Sequence, residues 1–274
     1  MKRELALLSL LAAMVSGPAG AEDGPRPGDD AFLRGMQAKS KRQHADALRE
    51  FSAAAESGHT EAQYLLGLQY LRGDGVKADP KQARAWFERA LERNHPLAAT
   101  QLGDMHEHGV GMARDPAGAA RLYERAALQG FAPAQTKLGA LFETGSGVAR
   151  DTQAALDWYS LAAAQDNWDA QHRLGKLLRD GRAGETEAAE AARLFAASAK
   201  AGNSFARISL GELYESGRGV PRDLARARAL YQQALKEGEP AARQKLAQLG
   251  RPSAPTARAP RKPGHVQVAL RTKR

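Results

Sequence analysis

Apolar residues along this chain fall in helical order. In the stretch that begins at Glu61, Ala62, Leu65, Leu66 and Tyr70 sit three to four residues apart, the stripe of an amphipathic helix. Gly73 and Gly75 punctuate its end, Val76 returns an apolar side chain under the loop, and Asp79-Pro80 opens a second helix. The aspartate can accept from free first-turn amides, and proline fits there because its missing N–H would be unpaired anyway. The second stripe alternates small and bulky residues: Ala83, Trp86, Phe87, Ala90. Whole columns of this pattern return every 36 residues, most visibly Leu66-Gly67, Leu102-Gly103, Leu138-Gly139, Leu174-Gly175 and Leu210-Gly211. A mid-helix glycine costs about 1 kcal/mol against alanine, so five in register predict a close approach by the neighbouring helix. Two antiparallel helices cannot bury such stripes alone, and the predicted fold is all-α, a right-handed superhelical solenoid of stacked helix pairs.

The ordered set Leu-Gly, Gly-x-Gly-Val, Asp, Ala, Trp/Leu-Tyr/Phe, Ala, Gly resembles the Sel1-like repeat family, relatives of the tetratricopeptide repeat with a longer loop between the two helices. The likeness covers residues 60–249 as five repeats and a closing helix. Ahead of them, Gly35 and Ala47 are 12 apart where Gly67 and Ala83 are 16 apart, so residues 30–59 read as a shorter, tetratricopeptide-style capping pair with Phe51 in the aromatic column. The fourth repeat departs from its siblings: Gly181-Arg182-Ala183-Gly184-Glu185 replaces Gly-x-Gly-Val, and its loop is expected to be the most mobile. Residues 22–29 read as a linker and 250–274 as a basic, Pro/Ala/Arg-rich disordered tail. Within that tail Val266, Val268 and Leu270 alternate as in a short strand.

Composition adds a compartment. Lys2 and Arg3, the apolar stretch 5–15 and Ala19-Gly20-Ala21 form a secretory signal over residues 1–21, and the expected location is periplasmic or secreted. The apolar stretch is too short to span a bilayer. With no cysteine, disulfides, thiolate metal sites and thiol catalysis are excluded. Of the formal charge of +9, the tail supplies seven Lys and Arg with no acid and the signal one net positive charge, which leaves the body nearly neutral. Its pI of 9.9 is thus no sign of a nucleic-acid surface.

Candidate chemistry is sparse. Gly73-Asp74-Gly75 follows a helix, whereas a phosphate loop follows a strand and aims a helix N-terminus at the anion. His106-Glu107-His108 has its histidines two apart, on opposite helix faces, and reads as solvated helix-end residues, not a metal site. No Ser-His-Asp arrangement can be assembled, so no catalytic residue, metal or cofactor is assigned. Trp86 and Trp158 read as packing residues, while Trp168 lies outside the aromatic column and is divided between packing and ligand contact. In the resembling families the first helix of each pair lines an inner groove. The matching positions are Tyr64, Thr100, Thr136, His172 and Ile208; Leu68, Asp104, Ala140, Lys176 and Glu212; and Leu71, Glu107, Glu143, Arg179 and Glu215. These columns vary between copies, as positions free of packing demands do, and acids outnumber bases among them, which points to a basic or mixed peptide. The resemblance implies a non-enzymatic scaffold or adaptor whose groove binds a protein or peptide. Two alternatives stand beside it: an envelope-anchoring protein that uses its cationic tail on anionic surfaces, and a β-lactam-binding or hydrolysing protein like some cysteine-rich relatives, whose disulfide in each repeat this chain cannot form.

Overall fold

The computed structural model describes residues 27–181 and 185–249, and among these it is all-helical. The thirteen helices are α1 (Asp29–Ser40), α2 (His44–Glu56), α3 (Thr60–Arg72), α4 (Pro80–Glu92), α5 (Pro96–His108), α6 (Pro116–Ala127), α7 (Ala132–Thr144), α8 (Thr152–Ala163), α9 (Trp168–Asp180), α10 (Glu185–Lys200), α11 (Ser204–Ser216), α12 (Leu224–Lys236) and α13 (Ala241–Leu249). They form two compact units, one ending at Ala162 and one beginning at Ala163. The first holds the pairs α1/α2, α3/α4, α5/α6 and α7/α8; the second holds α9/α10, α11/α12 and then α13, packed on α12. This is the predicted stack of helix pairs. The first helix starts at Asp29, one residue inside the expected linker. The signal stretch 1–21, residues 182–184 of the unusual fourth loop, and the tail with its strand-like 266–270 lie outside the described residues.

Local chemistry sets the helix ends. The carboxylates of Asp79, Asp115, Asp151 and Asp223 each accept backbone N–H bonds from the first turn of α4, α6, α8 and α12, as in Lys81 N to Asp79 Oδ1 at 2.9 Å. At the other end of the first helices, Gly73, Gly109, Gly145 and Gly217 take left-handed φ values of 71° to 80°. Gly181 of the fourth repeat does not: its φ is −63° with extended ψ, so the departure in sequence is also one in backbone.

The glycine column performs its predicted task, with an aromatic ring as the group that approaches. A Cβ on Gly67 would lie 2.5 Å from the Phe87 ring; on Gly103, 2.4 Å from Tyr123; on Gly139, 2.8 Å from Tyr159; on Gly175, 2.7 Å from Phe195; on Gly211, 2.5 Å from Tyr231. Gly35 meets Phe51 in the same way in the α1/α2 pair. All six rings are fully buried. Beside them Trp86 and Trp158 are partly buried and packed against the core, and Arg89 stacks its guanidinium 4.4 Å from the Trp86 ring.

Stacking between repeats also satisfies polar groups. Buried Gln63 and Gln135 donate to the carbonyls of Ala55 and Ala127 at the ends of α2 and α6, which also accept the backbone N–H groups of Gly58 and Gly130. Met112, Val148 and Val220 tuck under their loops against the core. One expectation is overturned: Thr100 and Thr136 are not free of packing. Each is 4% exposed and returns its hydroxyl to its own helix, on the carbonyls of Pro96 and Ala132. A small side chain that satisfies itself within its helix can be inward and still vary.

Gly103→Ala should cost about 1–3 kcal/mol, because the Tyr123 ring it displaces has no free volume to enter. Combining it with Tyr123→Leu in a double-mutant cycle by urea unfolding should show the two costs to be strongly non-additive. Additive costs would mean that the ring is not what the new Cβ strikes.

Candidate interaction surface

The first helices of the repeats, α3, α5 and α7 in one unit and α9 and α11 in the other, carry the expected groove positions, and the three columns differ in kind. The first column points inward. Tyr64, Thr100, Thr136 and Ile208 are buried, and His172 is half-buried. Tyr64 lies with its ring 5.0 Å from His95 and 5.9 Å from Phe87, and burial, helped by the charge of Glu61, pushes its hydroxyl up to about 12. These residues support the surface more than they form it. The second and third columns, Leu68 and Leu71, Asp104 and Glu107, Glu143, Lys176 and Arg179, Glu212 and Glu215, are half-buried or exposed.

Most of their charges are already engaged. Tyr123, 0% exposed as a residue, aims its single hydroxyl proton at both Asp104, 2.6 Å away, and Glu107, 2.7 Å away. Lys137 bonds the same Asp104 oxygen at 2.8 Å and lies 5.6 Å from the centre of the Tyr123 ring. Tyr159 donates to Glu143 at 2.6 Å and Tyr231 to Glu215 at 2.9 Å. Burial and then these carboxylates raise the Tyr123 and Tyr231 hydroxyls far above the ordinary phenol range. In the second unit Glu212 takes both Arg179 at 2.7 Å and Lys245 at 2.6 Å. Arg179 is further held in its charged form by Asp180, whose own carboxyl is lowered by that guanidinium. A count of acids therefore overstates the negative charge open to a ligand. Glu107 is likewise no solvated helix-end residue; of its neighbours, His106 is half-buried near Asp115, and His108 is exposed and bonded to the Asp104 carbonyl. No group of three or more His, Asp or Glu able to hold a metal ion occurs among the described residues.

The tyrosine–carboxylate bonds were not anticipated, though a signal existed. Residues 16 apart pair as Leu71/Phe87, Glu107/Tyr123, Glu143/Tyr159, Arg179/Phe195 and Glu215/Tyr231: every tyrosine has its glutamate and neither phenylalanine has one. Also missed was Phe205, 57% exposed, which with Trp168, 51% exposed, lines an open hollow of about 530 Å³ beside His172 and Lys176. Trp168 is thus half in solvent, unlike the buried rings of the aromatic column. Burial, and secondarily Lys176, depress the His172 imidazole to about 4, so it is neutral at pH 7.

Tyr231→Phe should lose the roughly 1.5–3 kcal/mol typical of a bond to a charged acceptor. Tyr123→Phe should lose more, since Asp104 and Glu107 then share no proton between them, and equal urea midpoints for the two variants would refute that reading. For His172, the unfolded imidazole binds its proton near 6.5 and the folded one near 4. Between those values the unfolded state holds the extra proton, so stability falls as pH drops through the window and levels off below it. His172→Thr, the residue of two sibling repeats, should show a smaller drop in urea midpoint from pH 7 to pH 4.5 than the parent. An equal drop would show that His172 does not titrate in this way.

Comparison with known proteins agrees with this architecture. The Sel1 repeat matches at residues 60–95, 96–131, 132–167, 168–203 and 204–239. A protective antigen of uropathogenic Escherichia coli strains, displaying an SLR fold, is 32% identical with a TM-score of 0.73 over 81% of this chain and 49% of its own. The chain thus spans about half the length of that relative. A Sel1 repeat protein from Oxalobacter formigenes is 27% identical with a TM-score of 0.74, covering 82% of this chain and 92% of its own. An immunity protein from Pseudomonas aeruginosa, 22% identical with a TM-score of 0.51 over 80% of this chain and 84% of its own, shares the fold. None of the curated proteins matches the chain. With five consecutive repeats matched in register, and the glycine and ring columns carrying the packing in each, the chain belongs to the Sel1 repeat family, an all-helical solenoid fold typical of protein-interaction scaffolds.

Proposed function

We propose that this chain is an exported, non-enzymatic scaffold or adaptor that binds a protein or peptide on the first-helix face of its repeats. The observation that carries the reading is the division of labour in each repeat. Glycine and ring are held constant by packing in all five repeats, while Lys176, Leu68 and their neighbours vary on a partly open face. That is how a repeat scaffold is tailored to one partner without disturbing its core. The signal-like residues 1–21 support export to the periplasm or beyond. No helix among the described residues is long and apolar enough to cross a membrane. The seven cations of the tail with no acid among them support a second reading, in which the tail holds the protein on an anionic envelope surface while the repeats hold the partner.

Crosslinking of the chain in its native envelope separates the two. The adaptor reading expects one main protein adduct that survives deletion of residues 251–274 and 0.5 M salt. The anchoring reading expects retention on envelope fractions to fall with added salt and with that deletion. An adduct that depends wholly on the tail would overturn the adaptor reading.

A further inference from the structure

Three residues of the second unit stand apart from their counterparts in the other repeats, and they meet at one place. Trp168 and Phe205 begin α9 and α11 as the first and second residues of consecutive first helices. The corresponding pairs earlier in the chain are Thr60 with Leu97, Pro96 with Pro133 and Ala132 with Asp169, none of them aromatic. Ser198 stands where the sibling repeats have Ala90, Ala126, Ala162 and Ala234, all fully buried, and it is fully buried itself. Its hydroxyl donates to the Trp168 carbonyl at 2.6 Å and accepts from the Asn203 side-chain amide at 3.0 Å. The Asn203 oxygen in turn accepts the backbone N–H groups of Phe205 and Ala206 at 3.0 and 3.2 Å. Trp168 and Phe205 are thereby tied to each other through Ser198 and Asn203, with both rings left half in solvent. Between them His172 lies near-parallel to Phe205 at 6.5 Å and tilted on the core ring Phe195 at 5.7 Å, its Nε2 3.3 Å from the Ser209 hydroxyl.

The charges of the hollow have one sign to spare. Asp169 is neutralised by Arg173, whose Nε reaches both carboxylate oxygens at 3.1 Å. His172 is uncharged at neutral pH. Lys176 is exposed and forms no ion pair with any described residue, whereas its neighbour Arg179 is paired with Asp180 and Glu212. An exposed pair of large rings on a preorganised backbone is the composition of a binding hot spot, and the surplus cation sets the partner's charge. The chain's own tail, with its seven cations, carries the wrong sign.

Resting on the interaction-surface reading above, we propose that this hollow binds an acidic linear peptide, taking one aromatic side chain against Trp168 and Phe205 and an adjacent carboxylate on Lys176. Binding is to be measured with the full chain by fluorescence anisotropy of three dye-labelled peptides: Gly-Asp-Phe-Asp-Gly, Gly-Asp-Ala-Asp-Gly and Gly-Lys-Phe-Lys-Gly, with free dye as the control. The first should bind saturably, and the other two at least tenfold more weakly. Phe205→Ser, at an exposed helix start, should weaken the first peptide at least tenfold while leaving the urea midpoint within error. Lys176→Glu should invert the preference towards the lysine peptide. Ser198→Ala, the residue of the siblings, is a positioning variant: it should weaken binding severalfold and broaden the Trp168 indole resonance although no contacting side chain has changed. Equal binding of the aspartate and lysine peptides, binding indifferent to Phe205→Ser, or no saturable binding would each overturn the proposal. If the native adduct still forms with Phe205→Ser and Lys176→Glu, only the pocket falls; if no adduct forms with the parent chain, the broader reading falls with it.

Discussion

An aromatic ring seated on a glycine fixes the geometry of every repeat. In each pair the second helix projects a ring into the volume that a Cβ on the first helix would occupy, leaving only 2.4 to 2.8 Å between the two, closer than any real side-chain carbon tolerates. The glycine's helix-propensity cost of about 1 kcal/mol is offset by full burial of the ring, itself worth about 1.5–3 kcal/mol. The contact also fixes where the far edge of the ring emerges. For Tyr123, Tyr159 and Tyr231 that edge is a hydroxyl that must find a partner once buried, and it finds a carboxylate one turn along the first helix. Where the ring is Phe87 or Phe195 no such demand exists, and the facing position holds Leu71 or Arg179, the latter with its guanidinium 5.8 Å from the Phe195 ring.

The chemistry of the first-helix face is therefore inherited in part from the core. Glu107, Glu143 and Glu215 sit on the first-helix face of the repeats, yet each accepts from a buried tyrosine, and Asp104 and Glu212 hold lysines or arginines of their own chain. A partner that competes for them must displace an existing bond, so their net contribution to affinity is smaller than five open carboxylates would give. Lys176 differs in having no ion pair to release.

The period made the fold legible, because a residue type that recurs at one register in five copies reports a demand the fold makes five times. Helix ends, loop tucks and the close approach at the glycines all followed from single columns. Legibility failed where a property depends on two columns read together. The glutamate column looked like free variation until set beside the tyrosines 16 residues on. Thr100 and Thr136 looked free because their identities change, but an inward threonine bonded to its own helix obeys no pattern beyond being small. The hollow at Trp168 was least visible of all, since Trp168, Ser198 and Phe205 lie in three columns, of which only that of Ser198 otherwise repeats a residue.

Such isolated breaks carry information of a kind the repeated residues cannot. Ser198 takes the place of alanines that are fully buried in four sibling repeats, so its hydroxyl adds no packing and would cost about 1–3 kcal/mol if left unbonded. Both its proton and its lone pair are used, on Trp168 and Asn203. What the substitution gains is position: it ties the starts of two first helices through a buried hydroxyl that no sibling repeat carries, beside the two rings that the core does not need. A stabilising role for the serine alone would leave the exposed rings unexplained, and a chance pair of exposed rings would leave the buried serine unexplained. One requirement, a fixed aromatic surface beside an unpaired cation, accounts for both.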